Sequence, residues 1–162
     1  MPLGSTALVF VFCVGSLAAA EDVTKTIKDL YAASRTTLRD ARTKDDLERV
    51  FSTFAPEWVG SMPAGETLTI ADLRKEAESA LAIAPDKRPL PQLDFVYIRE
   101  TGWNVLAVYW NSRRIGNRVI GALYRDTWVR TADGWRRIRQ EKLFPDRPLV
   151  EDGKPVILPS EQ

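Results

Sequence analysis

Residues 124–144 constrain the fold of this 162-residue chain more than any other stretch. They run from Tyr124 through Trp128 and Trp135 to Phe144 and read as two long strands, joined by a tight turn at Ala132-Asp133-Gly134. Asp-Gly between runs rich in β-branched and aromatic residues is a strong hairpin signal, because glycine tolerates the positive φ the turn demands. The hairpin closes a strand-rich second half with expected strands at 93–100, 104–113, 118–131 and 135–144. Turns at Thr101-Gly102 and Ile115-Gly116-Asn117 punctuate them, so the order is an antiparallel meander.

The first half has a different period. Ile27, Leu30, Tyr31, Ser34 and Leu38 recur at helical spacing from Asp22 to about Asp40. Thr43-Lys44-Asp45-Asp46 opens a second helix with a capping box, and its apolar stripe is Leu47, Val50, Phe51 and Phe54. Residues 57–62 read as a short strand. Thr69 to Asp72 opens a third helix by the same capping logic, continuing through Leu73, Ala77 and Leu81. The expected class is α+β, a cone with three helices packed on a curved antiparallel sheet made of that short strand and the meander.

Three segments follow from composition. Residues 1–20 carry an apolar run ending Ala18-Ala19-Ala20, the small-residue pattern of a cleaved signal peptide, and point to a periplasmic or secreted protein. The run is too short to span a bilayer, which needs roughly 18 or more apolar residues, so no stable membrane anchor is expected after cleavage. Residues 21–144 form one domain. Residues 145–162, with Pro148, Pro155 and Pro159, read as an irregular tail with a turn near Gly153.

Cys13, the only cysteine, lies in the apolar run, so the mature chain holds together without disulfides. Lys plus Arg (23) balances Asp plus Glu (22), which leaves no global field for nucleic acid. The late arginines Arg125, Arg130, Arg136, Arg137 and Arg139 read as a solvated strand face.

The order of these elements resembles the nuclear transport factor 2-like superfamily, with its ketosteroid isomerases and SnoaL-like cyclases. The resemblance covers about 22–144. It rests on Ala41 to Leu47, on Pro63 to Leu73, and most specifically on Thr127 to Trp135. It implies a pocket between the helices and the concave sheet face, and a homodimer through the convex face. The strand at 104–113 is apolar on both faces and so calls for a second cover.

The chain has no histidine, which excludes imidazole bases, His metal ligands and Ser-His or Cys-His pairs. No metal or cofactor is expected. The remaining chemistry is a carboxylate base with Tyr or Trp donors. Asp126 is the candidate base, sharing a strand face with Ile120, Ala122, Tyr124 and Trp128, and Tyr31 is the candidate donor. The ordinary alternative pairs Asp126 with a neighbouring-strand arginine such as Arg139. Asp94, at a strand start, is a second carboxylate, read first as an exposed cap. Trp58, Tyr97, Tyr109, Trp110, Tyr124 and Trp128 are the candidate ligand-binding residues, with core packing as the alternative for each. The functional expectation is binding of a small, partly apolar molecule, or retention of the pocket without catalysis. The alternatives are a cofactor-free isomerase, dehydratase or cyclase, and an interaction module for another envelope protein.

Overall fold

The computed structural model describes residues 22–156. The expected signal peptide and Cys13 lie outside the described residues.

The helices are α1 (Val23–Asp40), α2 (Lys44–Phe51) and, after two strands, α3 (Ile70–Ala80). Asp22 caps α1 by accepting from the Lys25 N–H at 3.0 Å. Thr43 with Asp46 and Thr69 with Asp72 form complete capping boxes on α2 and α3. These side chains satisfy amide N–H groups that a helix leaves without partners, so each helix starts at its expected residue.

The strands are β1 (Phe54–Ser61), β2 (Thr67–Thr69), β3 (Gln92–Thr101), β4 (Asn104–Ile115), β5 (Arg118–Thr131), β6 (Gly134–Glu151) and β7 (Lys154–Pro155). They form one sheet in the order β2-β1-β6-β5-β4-β3, with β7 added to the end of β6. The meander is antiparallel, as expected, but β1 runs parallel to β6, so the sheet is mixed. The short strand β2 was not foreseen. It pairs with β1 through Val59 to Ser61.

The hairpin between β5 and β6 turns where its sequence asks for it. Thr131 pairs with Gly134, whose φ of +107° suits glycine. Trp128 is fully buried. The pairing of β5 with β6 shifts register four times, and each shift adds curvature.

The irregular tail expected from residue 145 is corrected by the structure. β6 continues to Glu151 against the first half of β5, with Ile120 opposite Pro148 and Arg118 opposite Glu151. Pro145 falls at a register irregularity, where a missing N–H costs no ladder bond. Gly121 makes room for this extension: a Cβ there would stand 2.7 Å from Leu149 Cδ1. The expected turn is present at Asp152-Gly153.

The core lies between α1 and the inner sheet face. Ile27 and Tyr31 pack on Val105, Ala107, Tyr109 and Trp128. A second cluster, Ala41, Leu47 and Phe51, ties α1 to α2 and receives Leu73 and Ala77 from α3. Strand alternation puts Val105, Ala107 and Tyr109 on the inner sheet face, and Leu106, Val108 and Trp110 on the outer one, where Val108 is nevertheless buried.

Candidate functional site

At the centre of the inner face stands Asp126, with no exposed surface. It enters from β5, between Tyr124 and Trp128 on the same face. Its Oδ2 accepts a short hydrogen bond from the Tyr31 hydroxyl and a second, at 3.0 Å, from the Tyr109 hydroxyl. Trp128 Nε1 donates to the Tyr31 oxygen at 3.2 Å, and Gln140 Nε2 donates to the Tyr109 oxygen at 3.0 Å. Both phenol protons are therefore committed to the carboxylate, and both phenol oxygens accept from a neighbour.

The counter-charge is Arg137 on β6, 7% exposed. Its Nε stands 3.2 Å from Asp126 Oδ2, an ion pair by distance, although the N–H is not aligned for a hydrogen bond. The guanidinium lies 4.6 to 4.9 Å from the ring centres of Phe54, Tyr31 and Trp128. Burial alone pulls the Arg137 pKa down, but attraction to Asp126 and the two phenols outweighs it and the net shift is upward. The group stays charged. Tyr31 and Tyr109 are pushed well above their ordinary range, first by burial and then by the charge of Asp126, with Arg137 opposing. Both remain protonated at neutral pH.

A cavity of about 510 Å³ opens beside this network. The sheet contributes Tyr109, Asn111, Arg137 and Gln140 to its wall. The helices contribute Leu38, Phe51, Leu73 and Ala77, and the segment before β3 adds Pro89 to Pro91. Tyr31, Ser34, Arg35 and Leu38 line one side together because they fall at i, i+3, i+4 and i+7 of α1. The size and the mix of apolar wall and few polar groups suit a small organic ligand.

The sequence-derived candidates divide around this cavity. Tyr31 and Tyr109 line it. Asp126 and Trp128 sit one layer behind, in contact with them. Tyr124 stacks on Tyr109, with ring centres 6.0 Å apart, and does not reach the cavity. Trp58 is buried against Phe54, away from it. Tyr97 and Trp110 lie on the outer sheet face, opposite Val108 and Leu123 respectively. Asp94 is exposed beside Gln92, as a cap would be. The partner of Asp126 is Arg137 and not Arg139, which is 58% exposed. The solvated reading of the late arginines fails for Arg137 alone among those with a described ion pair; Arg125 pairs with Glu141 on the outer face.

Sequence reasoning missed Ser34, Arg35, Arg137 and Gln140 as site residues. For the first two a signal was present, since they lie one helical turn beyond Tyr31. Among the described residues no group of three His, Cys, Asp or Glu side chains could hold a metal ion, and no helix is long and apolar enough to cross a membrane.

No family profile and no curated protein matches this chain. Solved structures do. An NTF2-like protein from Cytophaga hutchinsonii aligns with 17% identity and a TM-score of 0.58, over 77% of this chain and 100% of that one. A candidate ketosteroid isomerase from Parabacteroides distasonis aligns with 12% identity and a TM-score of 0.53, over 77% and 89%. An NTF2-like protein with a cystatin-like fold from Novosphingobium aromaticivorans aligns with 17% identity and a TM-score of 0.52, over 72% and 78%. The chain has the NTF2-like, cystatin-like cone fold, in agreement with the sequence expectation. At these identities the likeness extends to the fold, and one fold hosts many functions.

Proposed function

We propose that this chain binds a small, partly apolar molecule in the cavity between the helices and the sheet. The observation that carries this reading is the cavity itself, about 510 Å³, with apolar helix side chains on one side and Tyr31, Tyr109 and Arg137 on the other. Export fits the reading, given the apolar N-terminal run. So does a homodimer through the outer sheet face, where Tyr97 and Phe144 leave 40% and 48% of their surface in solvent.

The catalytic alternative has less support. A general base must reach the proton it removes. Asp126 stands behind Tyr31 and Tyr109, and its Oδ2 takes both of their protons and faces Arg137. In this arrangement Oδ2 is committed to the two phenols and the guanidinium, and the network rigidifies the floor of the cavity.

Native mass spectrometry of the protein purified from its own host tests the binding reading. We expect a small molecule bound to the native protein and lost from Ala77→Trp, whose indole would occupy the cavity. An unliganded native protein, or equal retention in the filled variant with folding intact, would count against it.

A further inference from the structure

The cavity wall holds more positive than negative charge, and most of that charge is accounted for. Arg137 faces Asp126, Arg39 is paired with Asp40, and Arg113 stands 4.0 Å from Asp146. Arg88 spends its donors on backbone carbonyls of α1 and α3. Arg35 has no such partner. Its Nε is out of contact with solvent and makes no hydrogen bond, and among the described residues no carboxylate forms an ion pair with it. In the preceding residue, Ser34 Oγ is also buried without a hydrogen-bond partner, in a residue 9% exposed that lines the same wall. Two adjacent buried donors left unmade are costly in a folded protein, and a bound acceptor removes that cost.

Taking the cavity as a binding site, we propose that its occupant is a monocarboxylate with an apolar body. The carboxylate meets Arg35 and the Ser34 hydroxyl, and the body lies along Leu38, Leu73 and Ala77. A guanidinium matches a carboxylate with parallel N–H donors, and a hydroxyl completes the set. The charge balance favours a single negative charge. Arg35 is the one wall arginine among the described residues with neither an ion pair nor a carbonyl partner, while Arg137 is already neutralised by Asp126. The one acidic residue on the wall, Glu76, is exposed and sits on α3.

The test titrates the full chain with decanoate, decan-1-ol and decyl phosphate, read by isothermal titration calorimetry. Decanoate is expected to bind at least about tenfold more tightly than decanol, the difference a charge-assisted pair supplies. Arg35→Gln should abolish that preference, so that decanoate and decanol bind alike, with the urea midpoint confirming that the variant is folded, and Ser34→Ala should weaken decanoate in the same direction. Equal affinity for decanoate and decanol, or an unchanged preference in Arg35→Gln, overturns the carboxylate assignment and leaves the cavity reading standing. Tighter binding of decyl phosphate also overturns it, in favour of a dianion. Failure of all three to bind overturns the assignment together with the binding reading.

Discussion

Asp126 is the residue on which the inner face depends. One of its oxygens faces two phenols and a guanidinium, and its other oxygen, Oδ1, has no partner. Arg137→Met therefore leaves a buried carboxylate without a counter-ion, and we expect a loss of about 3–5 kcal/mol in urea unfolding. The double variant Asp126→Leu/Arg137→Met should lose less than the sum of its two single changes. An additive result would mean that the pair does not interact. The tyrosines give a second readout. Their folded pKa values lie above the ordinary value of 10.0, so they favour the protonated, folded state. Their contribution is fully present below about pH 10 and is lost as pH rises beyond it, toward the folded values. Alkaline titration of Tyr31→Phe should show a smaller decline than the parent chain. At this scale the sequence was partly legible. Strand alternation placed Asp126 and Trp128 on one face, and helical spacing placed Tyr31 opposite them. It did not single out Arg137, because arginines occupy 136, 137 and 139. The register shift between Thr127 and Trp128 then decides which of them turns inward.

Helix starts were the most legible elements, since Thr43 with Asp46 and Thr69 with Asp72 carry their own chemistry. Thr43→Ala should cost about 1 kcal/mol in thermal or urea unfolding. Asp46 is held at about 2 by the Arg42 amide, Thr43 and Arg49. A lowered carboxylate stabilises the fold above its ordinary value of 3.8, and that contribution is lost as pH falls toward 2. Asp46→Asn should flatten this acid limb of the stability profile. The far ends of the helices were not legible. Arg88 joins two of them: it donates to Leu38, Arg39 and Ala41 at the end of α1, and to Ala80, Leu81 and Ile83 at and just beyond the end of α3. Both ends carry partial negative charge, so one guanidinium holds them together at the cavity wall. We expect Arg88→Ala to cost about 2 kcal/mol and to speed amide exchange in the last turns of α1 and α3. Unchanged exchange in both helices would argue against this pin. No periodicity marks a long-range contact of this kind, and the three-residue β2 is too short to leave a pattern.

For the whole molecule, the cone was readable from element order alone: three helices, a short strand between the second and third, then a meander. What lay beyond reading was the length of the last strand, because Pro145 and Pro148 look like breakers. The outer face of the sheet bears on the proposed assembly. Sedimentation of the chain without residues 1–20 is expected to give a dimer that Tyr97→Glu dissociates, and a monomer throughout would remove the homodimer from the proposal. The same prolines have a second consequence. β1 pairs with β6 only as far as Glu141, and β7 takes it up again at Val150, so the stretch between has one edge without a described strand partner. Open edges recruit strands from other chains. Here the edge carries two residues that lack an N–H to offer, together with Lys142 and Asp146 bridged at 2.7 Å. The extension can thus lengthen the sheet without offering a template for self-addition. Replacing both prolines by valine should leave the fold intact and hasten fibril or precipitate formation during prolonged incubation.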